Sequence, residues 1–550
     1  MVNNAGIVGA SLVDVLPSTN KFWFQEPHLL KLNLILLVPI LSSSVFGYDA
    51  SLMNALQSLE QWREYFGDPK GALLGTVIAS QSIGCLIALP IVGDFCDRFG
   101  RKPVLLVGIL IICAAAAIQG AAVNLPMFIV CRLLVGFGGI FSSQPSPMLI
   151  AELAYPTHRG KYTSAYWTLF YLGSILSSWT TFGTKDIPND WSWRIPSILQ
   201  AGYPLIQLLF IWWMPESPRW LVAKDRHHEA AAILQRYHAG ICDSEAELSP
   251  LVATELAEIS HAIKMQQEAN LVGWSALIST PGNRKRTIIA IAVGGFAQWN
   301  GVSVVSYFLN RQVAKQQGPP CRETSSLTGN SILNSVGVTS AYTQTLINGL
   351  LQLFNFFAAA SAALLVDRLG RRTLFLWSSV GMLVSYVIWT ACSAVNDETG
   401  SQAAGIVVIV CVFVVFFHYD IAWTPLLLGY PTEIFPYHFR SKGLAVEMVS
   451  VYSCLVIAAF CNPIGLENIG WKYYIVFCCF LLFITFTVYF YFPETKGYTL
   501  EEIAVIFDGD DADLTVTCGD KRGDFSAESQ HVEQEGNNKK KDRRVDDVEL

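Results

Sequence analysis

The feature that most constrains this chain is a series of twelve apolar runs, each about 20 residues long or longer. They fall near residues 29–56, 72–92, 103–123, 126–151, 162–182 and 195–214, and again near 287–309, 341–366, 373–394, 403–431, 444–464 and 472–492. A helix of this length crosses the hydrocarbon core of a bilayer. Only 15% of the residues are charged, against about 25% in soluble domains. The runs therefore predict an all-α membrane protein with six spans on each side of a polar block.

A short charged sequence occurs twice between apolar runs, once in each half of the chain. The first copy is Gly93-Asp94-Phe95-Cys96-Asp97-Arg98-Phe99-Gly100-Arg101-Lys102. The second is Asp367-Arg368-Leu369-Gly370-Arg371-Arg372, and Asp367 follows Asp97 by 270 residues. An arginine-rich turn that contains glycine, set between two spans, is typical of a short cytoplasmic loop. Its recurrence predicts two similar halves.

The basic residues predict the orientation and the domain boundaries. Most of the Arg and Lys residues between spans lie in every second loop, so both termini and the polar block are expected in the cytoplasm. Residues 1–28 lack the pattern of a cleaved signal peptide. We expect a cytoplasmic segment at 1–28, bundles at 29–214 and 287–492, a linker with short helices at 215–286, and a mostly disordered tail at 493–550.

Several classes of function are not favoured by the sequence. The 13 cysteines are scattered, many inside apolar runs, without the spacing of metal ligands or of a disulfide framework. The net charge of −7 does not suggest a nucleic-acid partner. We find no P-loop and no nucleophile elbow, so neither an enzyme nor a cofactor or metal site is expected.

Acids and arginines recur at matching ends of the predicted spans. Glu152 precedes Arg159 by seven residues, and Glu433 precedes Arg440 by seven. Pro215-Glu216-Ser217-Pro218-Arg219 ends the first half, and Pro493-Glu494-Thr495 ends the second. Such residues can pair across a bundle and lock a cytoplasmic gate; alternatively, each is a solvated charge beside a span. The predicted network comprises Asp97, Arg98, Arg101, Glu152, Arg159, Glu216, Arg219, Asp367, Arg368, Arg371, Glu433, Arg440 and Glu494.

These motifs together resemble the sugar porters of the major facilitator superfamily over nearly all of residues 30–503. Those that carry the resemblance are Phe46-Gly47-Tyr48-Asp49, both Asp-Arg-x-Gly-Arg loops, Arg132-Leu-Leu-Val-Gly136-Phe-Gly138, Glu152…Arg159-Gly160, Pro215-Glu-Ser-Pro-Arg219-Trp220 and Pro493-Glu-Thr495. Residues 179–184, 193–197, 344–355 and 462–474 further resemble the fungal lactose-permease-like branch. The resemblance implies two six-helix bundles, with a substrate site between them near the midplane that opens to each side in turn.

Asp49 lies inside the first span, where a bare carboxylate is costly and is a functional hypothesis by default. An ionised aspartate there needs a partner, and Arg132 in the fourth span is the natural candidate. Proton-coupled members of the resembled family carry an Asp and an Arg at these positions. The alternative is that Asp49 caps the outer end of its helix.

Sugar sites need amide and hydroxyl groups beside aromatic faces. The predicted substrate-contacting residues are Trp167, Gln298, Trp299, Asn300, Tyr307, Asn355, Asp420 and Thr424. By resemblance, Gln298 and Asn355 match sugar contacts, Tyr307 with Phe308 matches an outer gate, and Asp420 matches an acid near the site. The alternative is that each polar residue holds neighbouring helices together.

Four positions depart from the resembled pattern. Trp167 stands where sugar porters usually carry Gln or Asn, Ala297 replaces a Gln, Val302 and Ser303 lie near an expected Asn, and Leu428 replaces a Trp. The polar stretch 315–328 is an added outer loop, or an unspliced intron.

The sequence predicts a proton-driven sugar symporter of the plasma membrane, with a di- or oligosaccharide preferred over a hexose. The more apolar site leaves open a carrier or exporter of another small metabolite. A transporter-like nutrient sensor is the alternative from another class.

Overall fold

The computed structural model describes residues 22–241, 248–270, 273–304, 341–399, 401–436, 439–496, 503 and 506–508. Every regular element in these ranges is a helix. This confirms the all-α class that the apolar runs predict.

We label the transmembrane helices α1 to α12. The first six are α1 Pro27–Ser58, α2 Gly71–Phe99, α3 Arg101–Gly120, α4 Leu125–Leu153 with a break at Gln144, α5 Arg159–Thr168 continued by Phe170–Thr184, and α6 Trp191–Trp213 with interruptions. The second six are α7 Pro281–Trp299, α8 Ala341–Leu369, α9 Arg371–Thr399, α10 Gln402–Ile434, α11 Arg440–Ile469 and α12 Tyr473–Tyr491.

The described residues contain ten stretches that are long and apolar enough to cross a membrane. One of them, Arg440–Tyr491, contains both α11 and α12, and the more polar α5 completes the set of twelve. Several helices extend beyond the predicted runs; α1 has 32 residues and α10 has 33. Polar residues at a helix end continue the helix outside the hydrocarbon, so an apolar run underestimates its length.

The repeated charged turns have the same backbone geometry. Gly100 lies between α2 and α3 with φ of 100°, and Gly370 lies between α8 and α9 with φ of 93°. L-residues with a side chain rarely adopt these values, so glycine is required at both turns. We call the end of the helices that carries these two turns the basic end.

Helix contacts repeat with an offset of six helices. In the first half α1 packs on α5, α2 on α4, and α3 on α4 and α6; in the second half α7 packs on α11, α8 on α10, and α9 on α10 and α12. The two halves meet along α2 with α11 and along α5 with α8. The fold is therefore two similar six-helix bundles in contact along two pairs of helices.

The linker contains short helices, and polar contacts tie it to the bundles. These helices are Pro218–Ala223, His227–Leu234, Gln235–Ala239, Pro250–Asn270 and Ala276–Ser279. Buried His238 lies 2.8 Å from a carboxylate oxygen of Glu255 and 3.1 Å from the Leu153 carbonyl, which docks the linker on α4. Near the start of the tail, Asp508 accepts two hydrogen bonds from Arg286 on α7, at 3.1 and 2.7 Å. Residues beyond 508 lie outside the described part.

Two glycines allow α1 and α5 to approach closely. A Cβ at Gly47 would overlap the carbonyl of Phe170, and a Cβ at Gly173 would overlap the carbonyl of Ser44. Both obstacles are backbone atoms, which cannot rotate away as a side chain could. The close contact of α1 and α5 therefore depends on residues that lack a side chain.

We predict that Gly173→Ala destabilises the first half by about 1–3 kcal/mol or more, because the added methyl group separates α1 from α5. Thermal unfolding of the detergent-solubilised protein measures the effect. Gly183→Ala is the matched control, since it lies on the same helix and a Cβ there meets no atom within 4 Å. Equal melting temperatures for the two variants would contradict this account of the α1–α5 contact.

Candidate functional site

Asp49 and Arg132 form a buried ion pair inside the first half. Arg132 Nη1 lies 3.2 Å from Asp49 Oδ1, and Arg132 is 1% and Asp49 2% exposed. Gln200 on α6 donates to the same carboxylate oxygen at 2.9 Å. Arg132 also donates to the Val77 carbonyl at 3.1 Å and to the Gln81 side chain at 3.0 Å, both on α2. Four helices thus meet at this pair.

Asp49 does not lie at the end of its helix. Helix α1 continues for nine residues beyond Asp49 to Ser58, so Asp49 is not a cap at the outer end of the helix. The second carboxylate oxygen has no hydrogen-bond partner within the described ranges. Sequence reasoning identified Arg132 as the partner of Asp49 but did not identify Gln81 or Gln200 as further partners. The signal that could have found both is an amide side chain inside an apolar run.

At the basic end of the first half, carboxylates hold the charged turn. Arg101 Nε lies 3.3 Å from a Glu152 oxygen, which also accepts a hydrogen bond from the Ser217 hydroxyl. Glu216 accepts hydrogen bonds from the backbone N–H of Arg101 at 3.1 Å and of Lys102 at 3.2 Å, which are the first residues of α3. A carboxylate at a helix N-terminus pairs with unsatisfied N–H groups and with the positive end of the helix dipole.

The second half repeats this arrangement residue by residue. Arg371 Nη2 lies 2.9 Å from a Glu433 oxygen, and the Thr495 hydroxyl donates to the other oxygen. Glu494 accepts from the backbone N–H of Arg371 at 2.8 Å and of Arg372 at 3.1 Å. Each half therefore has an arginine, a paired glutamate, a hydroxyl and a glutamate that caps a helix.

We call the residues Arg101, Glu152, Glu216 and Ser217, with their counterparts Arg371, Glu433, Glu494 and Thr495, the capping networks. The Arg101–Glu152 pair joins α3 to α4, and the Arg371–Glu433 pair joins α9 to α10, so each of these two ion pairs connects helices of one half. Burial raises the pKa of Glu216 above its usual range, although the backbone N–H groups of Ser217, Arg101 and Lys102 oppose this shift. Sequence reasoning found the acids and arginines but not the roles of the two hydroxyl groups.

Three further residues of the predicted gate, Asp97, Arg98 and Arg440, have contacts that the structure describes. Asp97 is largely exposed, 3.7 Å from Arg101, and the Arg98 guanidinium lies 5.4 Å from the Phe99 ring centroid. Arg440 donates to the Phe435 carbonyl at 3.2 Å. Arg159 begins α5 and Arg219 lies in the first turn of a linker helix. The side chains of Asp367 and Arg368 lie outside the described part.

A second polar cluster lies where the two halves meet. Asp420 on α10 is fully buried, and its Oδ1 accepts hydrogen bonds from the Tyr171 hydroxyl on α5 and from Thr424 at 2.9 Å. Asn355 on α8 is also fully buried. Within the described ranges, neither the Oδ1 nor the Nδ2 atom of its side-chain amide has a hydrogen-bond partner. Sequence reasoning did not name Tyr171.

The register of α5 against α8 places Asn355 at the depth of this cluster. Asn348 donates to Ser178 at 3.3 Å, and Gly349 lies against the Trp179 ring. Seven residues from that contact along each antiparallel helix, the chain reaches Tyr171 and Asn355. Seven residues are about two helical turns, so Tyr171 and Asn355 lie at one depth, near the middle of both helices.

Two other predicted substrate contacts, Trp299 and Asn300, interact with residues of the second half only in the contacts that the structure describes. Trp299 donates to the Cys454 carbonyl at 3.3 Å and packs on Phe480, so it faces α11 and α12 and not the boundary between the halves. Asn300 is buried and accepts from the Val302 N–H at 3.2 Å.

Of the three remaining predicted contact residues, the structure describes two. Trp167 precedes Tyr171 by one turn of α5 and is 36% exposed. Gln298 is partly buried near the end of α7. Tyr307 lies outside the described part.

Comparison with known proteins identifies the class. The structure is that of a multi-pass membrane carrier of the major facilitator superfamily. The model of the family described as "Sugar (and other) transporter" matches residues 35–317 and 325–507, and the chain belongs to that family. The gap between the two matched ranges, residues 318–324, lies within the polar stretch 315–328, where an added loop is predicted. This family consists of carriers, so the chain is not an enzyme.

Two yeast carriers are among its relatives. The chain is 28% identical to the low-affinity glucose transporter HXT3 of Saccharomyces cerevisiae, over 84% of this chain and 79% of HXT3. It is 28% identical to a high-affinity glucose transporter of Kluyveromyces lactis, over 88% and 86% of the two chains. Among solved structures, the proton:xylose symporter XylE matches with a TM-score of 0.65 and 22% identity, over 86% of this chain and 99% of XylE. The XylE match supports the fold.

We predict that Arg101→Ala and Arg371→Ala each lower the maximal transport rate about tenfold while the half-saturation concentration changes little. Each change leaves a partly buried glutamate without its cation, at the basic end and away from the Asp420 cluster. Initial rates over a range of substrate concentrations separate the two parameters. Glu229→Gln, which breaks an exposed pair with Arg226 in the linker, is the control. A loss of affinity for the substrate at an unchanged maximal rate would contradict the assignment of Arg101 and Arg371 to the predicted gate.

Proposed function

We propose that this protein imports a sugar across the plasma membrane by proton-coupled symport and alternating access. The observation that carries the proposal is the buried Asp49–Arg132 pair, whose hydrogen bonds connect four helices of one bundle. Membership of the sugar transporter family supports a sugar as substrate, as do two relatives named as glucose transporters. The concentration of Arg and Lys at the basic end supports a cytoplasmic location for that end and for both termini.

In this proposal Asp49 is the residue that takes up the proton. While ionised, it holds Arg132 and Gln200 and so fixes α4 and α6 against α1. Protonation neutralises the carboxylate, weakens the ion pair, and lets the bundle change its inclination with substrate bound. The capping networks keep the basic end of each half rigid during this motion, because their ion pairs lie within a half.

The substrate lies at the boundary between the halves, near Asn355, Asp420 and Thr424. Unpaired amide atoms of Asn355 and one unpaired oxygen of Asp420, within the described ranges, are groups that sugar hydroxyls satisfy. Trp167 and Leu428, at positions where the resembled family carries polar or stacking residues, favour the second candidate, a carrier of a less polar metabolite. A panel of radiolabelled sugars and other metabolites in a transport-deficient host distinguishes the two; signalling without flux would indicate a sensor.

We predict that Asp49→Asn abolishes uphill accumulation and proton co-influx but preserves part of counterflow exchange, which needs no net proton movement. Asn approximates the protonated carboxyl in shape and charge. Arg132→Ala should impair both activities, because Asp49 is then buried without its cation. Uptake, external pH and counterflow are measured in whole cells or proteoliposomes.

The control is Asp186→Asn, which removes an acid exposed outside the helices. Accumulation against a gradient by the Asp49→Asn protein would show that protons are not coupled through this residue.

We further predict that Trp167→Asn or Trp167→Gln widens the range of accepted sugars toward simple hexoses. An amide at this position can hydrogen-bond a hydroxyl, whereas the indole presents an apolar wall. Uptake of a sugar panel measures the change, and Trp212→Gln, at an exposed tryptophan at the end of α6, serves as control. An unchanged panel would place residue 167 outside the site.

A further inference from the structure

The hydrogen bond between Tyr171 and Asp420 crosses the boundary between the two halves. Its partners lie 249 residues apart, on α5 of the first half and α10 of the second. Tyr171 is 6% exposed and Asp420 is fully buried. Any motion that separates α5 from α10 must break this bond.

The two oxygens of Asp420 have unequal surroundings. Oδ1 accepts from both Tyr171 and Thr424, while Oδ2 has no hydrogen-bond partner within the described ranges. Both donors are neutral hydroxyl groups. A buried carboxyl group with an unsatisfied oxygen is costly, so Asp420 is suited to accept an additional hydroxyl donor.

We propose that Tyr171 is a positioning residue. In the empty carrier its hydroxyl donates a hydrogen bond to Asp420 Oδ1, and when substrate binds a hydroxyl group of the substrate replaces it as the donor. This inference rests on the proposed function for the identity of the substrate as a sugar. The ligand class is a neutral polyhydroxy compound, because Asn355 at the same depth offers both a donor and an acceptor, and a hydroxyl group can use either.

The exchange explains how substrate binding is connected to the motion of the halves. In the empty carrier the Tyr171 hydroxyl holds α5 to α10 through Asp420. A substrate hydroxyl that takes its place keeps the hydrogen bonding of Asp420 unchanged while releasing α5. The substrate thereby loosens the contact between halves without reducing the number of hydrogen bonds that Asp420 Oδ1 accepts.

Tyr171→Phe removes only the hydroxyl group and tests the exchange. Because the competitor for Asp420 is lost, the apparent affinity for the transported sugar should increase about three- to tenfold. Tyr166→Phe is the matched control: Tyr166 is buried on the same helix, but its hydroxyl donates to the Ser143 carbonyl within its own half at 3.3 Å. A decrease in affinity for Tyr171→Phe, or equal effects of the two changes, would overturn the proposal.

A second measurement needs no substrate. Spin labels on α5 and α10 of the full-length, substrate-free protein report the distance between the helices, which should increase or broaden in Tyr171→Phe. Asp420→Ala and the double variant should give the same change as Tyr171→Phe, since each removes the same bond. If the changes in the α5–α10 distance add up in the double variant, or if no variant changes this distance, the proposal is overturned even when the carrier is active. A changed distance without transport of any sugar would instead contradict the proposed function and leave the contact between halves established.

Discussion

A charge inside the apolar interior must find its partner within the protein, because the hydrocarbon offers no water to solvate it. The first half meets this requirement with Asp49 and Arg132. Their pairing fixes the rotation of α1 and α4, and the further bonds to Gln200 and Val77 fix α6 and α2. The central packing of this bundle is therefore set by one polar contact as much as by apolar burial.

The second half carries buried acids in a different setting. Asp420 is held by hydroxyl groups, and Glu447 on α11 is fully buried with neither carboxyl oxygen hydrogen-bonded within the described ranges. The halves thus share their helix contacts and their capping networks, but they differ in how they accommodate carboxyl groups, so coupling and substrate recognition can be divided between them.

The sequence was sufficient for the helices and for the two halves, because span length and the duplicated Asp-Arg-x-Gly-Arg turn are local patterns. It also identified Asp49 with Arg132, since a charge in an apolar run is conspicuous. It did not reveal Tyr171 or Gln200, whose roles depend on the register between helices distant in the chain. Nor did it show that Trp299 faces α11 and α12. The packing of the helices determines which side of each helix faces a neighbour. A span that is apolar on all sides has no periodic pattern from which that side can be predicted.

Glu216 and Glu494 each lie just after the last helix of a half, yet each caps a helix near the middle of that half. The final residues of a half thus fasten its third helix. During synthesis, the chain up to Ser217 already contains every member of the first capping network. The first six helices can therefore become a closed unit in the bilayer before the ribosome has made the second six. Each bundle thus carries its own closing contacts, and those of the first half are complete without any residue of the second.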